Sequence, residues 1–185
     1  MSKGEETRER IVVEAAARFN QRGYEGSSMS ELMKATGLEK GGIYRHFSSK
    51  EEVAAEAFDY AWQAALHARM HELDAVSNSV DRLKRFVANF VERRSSVPGG
   101  CPLLNTAIES DDGNPALRER ARKALRQLRD LLSSIVSAGH QAEGDQQRYQ
   151  RQRSGDSYHL FPRRRTDDGP AGARSRSSDD SSVAS

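Results

Sequence analysis

Between positions 40 and 50 the chain reads K-G-G-I-Y-R-H-F-S-S-K. Lys40, Tyr44, Arg45, His46 and Lys50 are hydrogen-bond donors, and all but the tyrosine are cationic or can become so. Only Ile43 and Phe47 are clearly apolar, and Gly41 and Gly42 strip away two side chains at the start of a helical turn. The chemistry such a cluster can do is donation to an anionic, acceptor-rich surface. Lys40 suits a phosphate or a guanine edge, and Arg45 suits a base or the backbone. The two glycines let a backbone approach closely and leave N–H groups free for a phosphate or base edge. They cost about 1 kcal/mol each in helix propensity. The alternative is that they simply belong to the turn. Lys50 opens the next helix, where its charge and the free amides can hold one phosphate. Ser28 and Ser30 open the preceding helix and can do the same across a groove, although Ser28 with Glu31 fits a capping box more firmly.

Other reactive residues are sparse. Cys101 is the single cysteine, so no intrachain disulfide is possible. It follows two glycines and can sense oxidants or electrophiles, but a quiet buried thiol is the plainer reading because no base stands beside it in sequence. His67 and His71 lie four apart, a spacing compatible with a metal pair, without a third ligand nearby in sequence. No nucleophile–base–orienter set, metal spacing or phosphate loop stands out. A helical enzyme using Cys101 or the His67/His71 pair is therefore the weaker alternative, and the expectation is a non-enzyme without cofactor or metal.

The elements that must position the donors read as helices. Ile11, Val12, Ala15, Ala16 and Phe19 form one stripe over residues 5–22, which Gly23 stops. A short helix follows from the Ser28 cap, with Leu32 and Met33 as buried weight, and Gly37 closes it. "GLEKGG" is a tight connection, and Ile43 and Phe47 share the inner face of the next short helix. Ser48 or Ser49 caps a long helix that extends to about Leu73. Three helices with the last two joined by a tight, glycine-containing turn are the helix-turn-helix arrangement. Beyond it, Leu83, Phe86, Val87, Phe90 and Val91 mark a helix over 80–94. "CPLLNTAIES" is a further candidate. A strong amphipathic helix begins at Pro115, with Leu117, Ala121, Leu125, Leu128, Leu132 and Ile135 along one side.

The chain has 185 residues, with 29 Lys and Arg against 27 Asp and Glu, so any basic face is local. The charged N-terminus lacks a signal-peptide core, and no run approaches the roughly 18 apolar residues of a membrane span. Together with the lone cysteine this predicts a cytoplasmic protein that does not meet a membrane. After about residue 139 the composition turns to Arg, Ser, Asp, Gln and Gly, without lysine and almost without aliphatics. Such a segment buries too little apolar surface to offset ordering, so the tail is expected to be disordered. It is also what an out-of-frame reading of GC-rich DNA yields. The expected organisation is a DNA-binding head over 1–50, a helical regulatory part over 51–138 and a disordered or frameshifted tail over 139–185.

The stretch "SSMSELMKATGLEKGGIYRHFSSKEEV" closely resembles the DNA-binding segment of TetR/AcrR-type transcriptional regulators. The likeness is strong over residues 5–60 and weaker through "GGCPLLNTAIESDDGNPALRERARKAL". It implies an all-α protein, with an N-terminal three-helix helix-turn-helix domain followed by a helical ligand-binding and dimerisation domain. It implies a homodimer, where the C-terminal region is intact, on a palindromic double-stranded DNA operator, most often a repressor released by a small-molecule effector. Tyr44 and His46 resemble the family's phosphate-contacting positions. Glu39 departs from the small hydroxyl residue that many relatives place there. Phe58, Trp62, Phe86, Phe90, Leu103, Leu104 and Ile108 are the candidate effector-pocket residues, although an aromatic set at helical spacing also describes plain core. The apolar dimer helices that the family places after Ile135 and Val136 are not legible in the sequence. A dimerisation-impaired or effector-insensitive DNA-binding protein is the alternative.

Overall fold

A computed structural model describes residues 2–109 and 114–156. Among the described residues the chain is built from α-helices with no strand, as the sequence predicts. The helices are α1 (Lys3–Arg22), α2 (Met29–Thr36), α3 (Lys40–Tyr44), α4 (Lys50–Met70), α5 (Ser79–Glu92), α6 (Pro102–Glu109) and α7 (Pro115–Asp156). The described residues up to 144 pack as one compact unit, and residues 145–156 belong to a second.

Local chemistry sets most helix ends. Ser2 and Glu5 form a capping box on α1, and Ser28 and Glu31 form the expected one on α2. Gly37 ends α2 at φ 67°, the left-handed conformation that a side chain resists. Ser49, not Ser48, caps α4 by accepting from the Glu52 amide at 3.2 Å. Helix α4 ends at Met70, short of the expected Leu73, so His71 is a cap residue outside the helix. Helix α5 stops at Glu92 rather than at residue 94.

Two apolar clusters hold the first unit together. The first joins Ile11, Val12, Ala15 and Ala16 of α1 to Leu32, Ile43, Phe47 and the Val53, Ala57, Ala61 face of α4. The second joins Tyr24 and the Ala54, Phe58, Trp62, Leu66 face of α4 to Leu117, Ala121 and Ala124 of α7. Helix α4 thus presents two faces, one to each cluster. The expected boundary at residue 50 falls where α4 begins, and α4 packs directly against α1, so the head and the remainder share a helix.

The inner stripe of α7 follows the expected one at Leu117, Ala121, Leu128, Leu132 and Ile135, and departs from it at Leu125. Leu117, Ala121, Ala124 and Ile135 are buried, whereas Leu125 is 58% exposed. Leu117, Ala121 and Ala124 meet the Ala54, Phe58, Trp62 and Leu66 face of α4 through their side chains, and Leu125 falls outside that contact. The predicted tail boundary at residue 139 falls inside α7, which continues to Asp156. Gly139 lies hard against Ser79, where a Cβ would come within 2.8 Å of the serine side chain. The remaining tail, 157–185, lies outside the described residues.

Candidate nucleic-acid interface

Helix α3 is five residues long and too short to stand alone. Its position is set from behind. Ile43 is 0% and Phe47 2% exposed, and the Phe47 amide donates to the Ile43 carbonyl at 3.1 Å. Burying two such side chains contributes roughly 1.5–3 kcal/mol each. Arg8 of α1 adds a clamp. Its guanidinium lies 4.2 Å from the Phe47 ring centroid, donates to the His46 carbonyl and pairs with Glu56. Nothing in local spacing pointed to Arg8, because its partners lie far along the chain.

The outward side of α3 is the donor surface expected from the sequence. Lys40, Gly41, Tyr44 and Arg45 are exposed and His46 is half-buried. The Lys40 amine lies 5.8 Å from the Tyr44 ring centroid. Ser28 and Ser30 are exposed at the start of α2. The Ser28 hydroxyl accepts from the Glu31 amide at 3.2 Å, and the Glu31 carboxylate accepts from the Ser28 amide at 2.9 Å. The Ser28 amide bond, joined by the Ser28 hydroxyl donating to the same carboxylate at 3.2 Å, holds the Glu31 carboxyl below the usual carboxylate range. Glu39 sits at the start of α3 without capping it through its side chain.

Gly41 has no internal reason to be glycine. It lies in a helix, and a Cβ built on it meets nothing within 4 Å. At Gly42 a Cβ would meet only the Leu38 side chain, at 3.4 Å. The fold therefore accepts alanine at residue 41 and would gain helix propensity from it. What a bare position on an exposed helix offers is close approach by something outside the molecule.

Lys50 is not a free donor. Its amine donates to the Tyr24 carbonyl at 2.7 Å and lies 4.0 Å from the Tyr24 ring centroid. The Tyr24 hydroxyl donates to Glu51 at 2.6 Å. That bond holds the Glu51 carboxyl low, while burial, reinforced by Glu51, pushes the phenol up. Glu109, the last residue of α6, accepts from the Tyr24 and Glu25 amides, each at 2.8 Å. Lys50, Tyr24, Glu51 and Glu109 thus tie the α1–α2 connection to α4 and α6. The sequence did not announce this cluster.

Of the candidate effector residues, Phe58, Trp62 and Leu103 meet at the second core cluster, and the others lie elsewhere. Phe58 and Trp62 lie in the second core cluster, where the Trp62 indole donates to Gln127 at 2.8 Å. Phe86 is buried, and Ile108 is 73% exposed. Phe90 lines a cavity of about 470 Å³, while Leu103 and Leu104 line a different one of about 380 Å³. The apolar pattern marked faces of helices, and the turn of each helix sent those faces to different places. Cys101 is partly exposed. His67 and His71 border a groove, but among the described residues no three His, Cys, Asp or Glu side chains gather as a metal site. No described helix is long and apolar enough to cross a membrane.

Residues 11–57 match the family of bacterial regulatory proteins of the tetR type, and residues 79–148 match the tetracyclin repressor-like C-terminal domain. A TetR transcriptional regulator of Chloroflexus aurantiacus is 50% identical, with a TM-score of 0.71 over 77% of this chain and 73% of that one. The transcriptional repressor NemR of Escherichia coli is 27% identical over 140 residues, 74% of this chain and 70% of NemR. The regulator YxaF of Bacillus subtilis is 27% identical over 113 residues, 57% of this chain and 59% of its own length. This chain thus spans less than two thirds of YxaF.

Proposed function

The chain belongs to the TetR/AcrR family of DNA-binding transcriptional regulators, and on that premise we propose that it is a repressor whose dimer grips a palindromic operator and lets go when a small molecule binds its C-terminal helices. The observation that carries the DNA-reading part is Gly41, a bare position on an exposed helix that the interior does not require. In this reading α3 enters the major groove with its N-terminal end leading. Lys40 and Arg45 address base edges or phosphates, while Tyr44 and His46 hold phosphates. Ser28 and Ser30 offer hydroxyls to the opposite backbone. Lys50 has two remaining N–H groups for a phosphate, but its first duty is to Tyr24.

One α3 offers too few base contacts for tight, selective binding. Two heads related by a twofold axis read half-sites about 34 Å apart or a multiple of it. The outward apolar side of α7 supports a second copy as the partner: Leu125 and Val136 are exposed beside Leu132. The continuation of α7 through residues 139–156 carries few apolar residues, which keeps weak dimerisation as the competing outcome.

Selection of bound duplexes from a random pool tests the proposal. A palindromic winner is expected, together with a dimer by sedimentation. Enrichment of asymmetric sites by a monomer contradicts the dimeric reading, and no enrichment at low salt contradicts DNA recognition itself.

A further inference from the structure

The cavity of about 470 Å³ lies among the later turns of α4, the end of α5 and the 95–101 connection. Arg69, Arg93 and Arg94 line it, and its walls contain no Asp or Glu. Phe90, Val91 and Val97 supply apolar wall. Arg69 decides its character. That residue is 8% exposed, and its guanidinium lies 4.6 Å from the Phe90 ring centroid and 5.9 Å from that of Trp62. Among the described residues its side chain makes no hydrogen bond and no ion pair.

A guanidinium keeps its proton at any pH a protein tolerates and presents a planar fork of N–H donors. Aromatic faces attract the charge but do not accept the in-plane donors. A charge so far withdrawn from water is expensive unless an anion completes it. The chain brings no carboxylate to Arg69, so its donors face the cavity, where water or an anion from solution can meet them. A planar carboxylate or a phosphate fits the fork bidentately.

We propose that this cavity binds a small organic oxyanion, its carboxylate or phosphate head on Arg69 and its apolar body against Phe90, Val91 and Val97. Arg93 and Arg94, both exposed, draw the anion in. The proposal names the effector class and rests on the effector-released reading above. The cavity wall is also placed to transmit binding. Asn20 of α1 donates to the Pro98 carbonyl at 2.8 Å, and Asn105 donates to the Gly99 carbonyl at 2.8 Å and the Asn20 carbonyl at 3.0 Å. A ligand that shifts this wall shifts α1, whose apolar face holds Ile43.

Trp62 is the only tryptophan and borders Arg69, so its emission reads the site in the full chain without DNA. Benzoate and phenyl phosphate are the anionic probes, with benzamide and benzyltrimethylammonium as controls of similar body. The expected result is a saturable response to at least one anion, and the stronger arm identifies the head group. Benzamide should bind at least about tenfold more weakly, and Arg69→Gln should weaken the anion about 10- to 100-fold. Should Arg69→Gln fail to fold, the exposed pair Arg93→Gln/Arg94→Gln still lowers affinity and flattens its salt dependence. No saturable response to either anion, equal affinity for benzamide, or full affinity in a folded Arg69→Gln protein overturns the proposal. Operator release is scored separately on the selected duplex. Anion binding without release supports the site and counts against the effector reading. Release by a neutral or cationic compound, with no anion binding, overturns the site and keeps the effector reading.

Discussion

The head that carries α3 and the helices around the cavity of about 470 Å³ are built on opposite plans. In the head, Ile43 and Phe47 face inward, while Lys40 and Tyr44 of the five-residue α3 and Arg45 just after it are exposed. A few adjacent positions therefore carry both the anchor and the contact. In the other region, the residues around one cavity come from α4, α5 and the 95–101 connection. The difference follows from the partners. DNA is a regular polymer with exposed phosphates, and one protruding helix can address it. A small molecule has to be surrounded, and surrounding requires residues distant in sequence. The two plans share α4, whose opposite faces pack into the two clusters.

The sharpest contrast is between two phenylalanines. Phe47→Ala removes a ring that is 2% exposed beneath the DNA-facing surface, and should cost about 3–5 kcal/mol of stability and abolish operator binding. Phe90→Ala removes a ring that is 52% exposed and should cost less than about 1 kcal/mol, leaving operator binding nearly intact. Urea unfolding of both variants measures the difference, and similar losses would break the comparison. Next in size is Lys40→Ala. It should leave the unfolding midpoint unchanged and weaken operator binding by about 1–3 kcal/mol in a binding titration.

The smallest effect concerns the Ser28–Glu31 box and has a pH signature. Glu31 is held below its ordinary value of 4.5, so it contributes stability above that value, and the contribution is lost as pH falls through the lowered folded value. Ser28→Ala removes the hydroxyl bonds that help to hold it low. The loss should be about 1 kcal/mol at neutral pH, from the lost cap, and should shrink as pH falls below 4.5, read from chemical denaturation across that range. A loss independent of pH contradicts the assignment.

The legible features were the short-range ones. Ser28 and Glu31 stand three apart on α2, so helical geometry placed them; Ile43 and Phe47 are buried together as expected, although α3 ends at Tyr44 and Phe47 lies beyond it. The clamp from Arg8 to His46 and Glu56 was not legible, because nothing near Arg8 hints at partners so distant. Lys50 was read as a free cation because Tyr24, its carbonyl and ring partner, arrives from the α1–α2 connection. Leu125 was assigned inward from its spacing, and only packing on α4 leaves it outside the contact. The other candidate pocket residues were separated from Phe58, Trp62 and Leu103 for a related reason: apolar spacing tells which side of a helix is inner, but not which neighbour that side meets.

Gly41→Ala tests the central claim most directly, with stability and operator affinity measured on the same preparation. A Cβ at this position meets nothing inside the molecule, so stability should rise by up to about 1 kcal/mol. Operator affinity should fall, because the added methyl holds the helix away from the duplex. A variant that is more stable and binds as tightly as the parent would contradict the account.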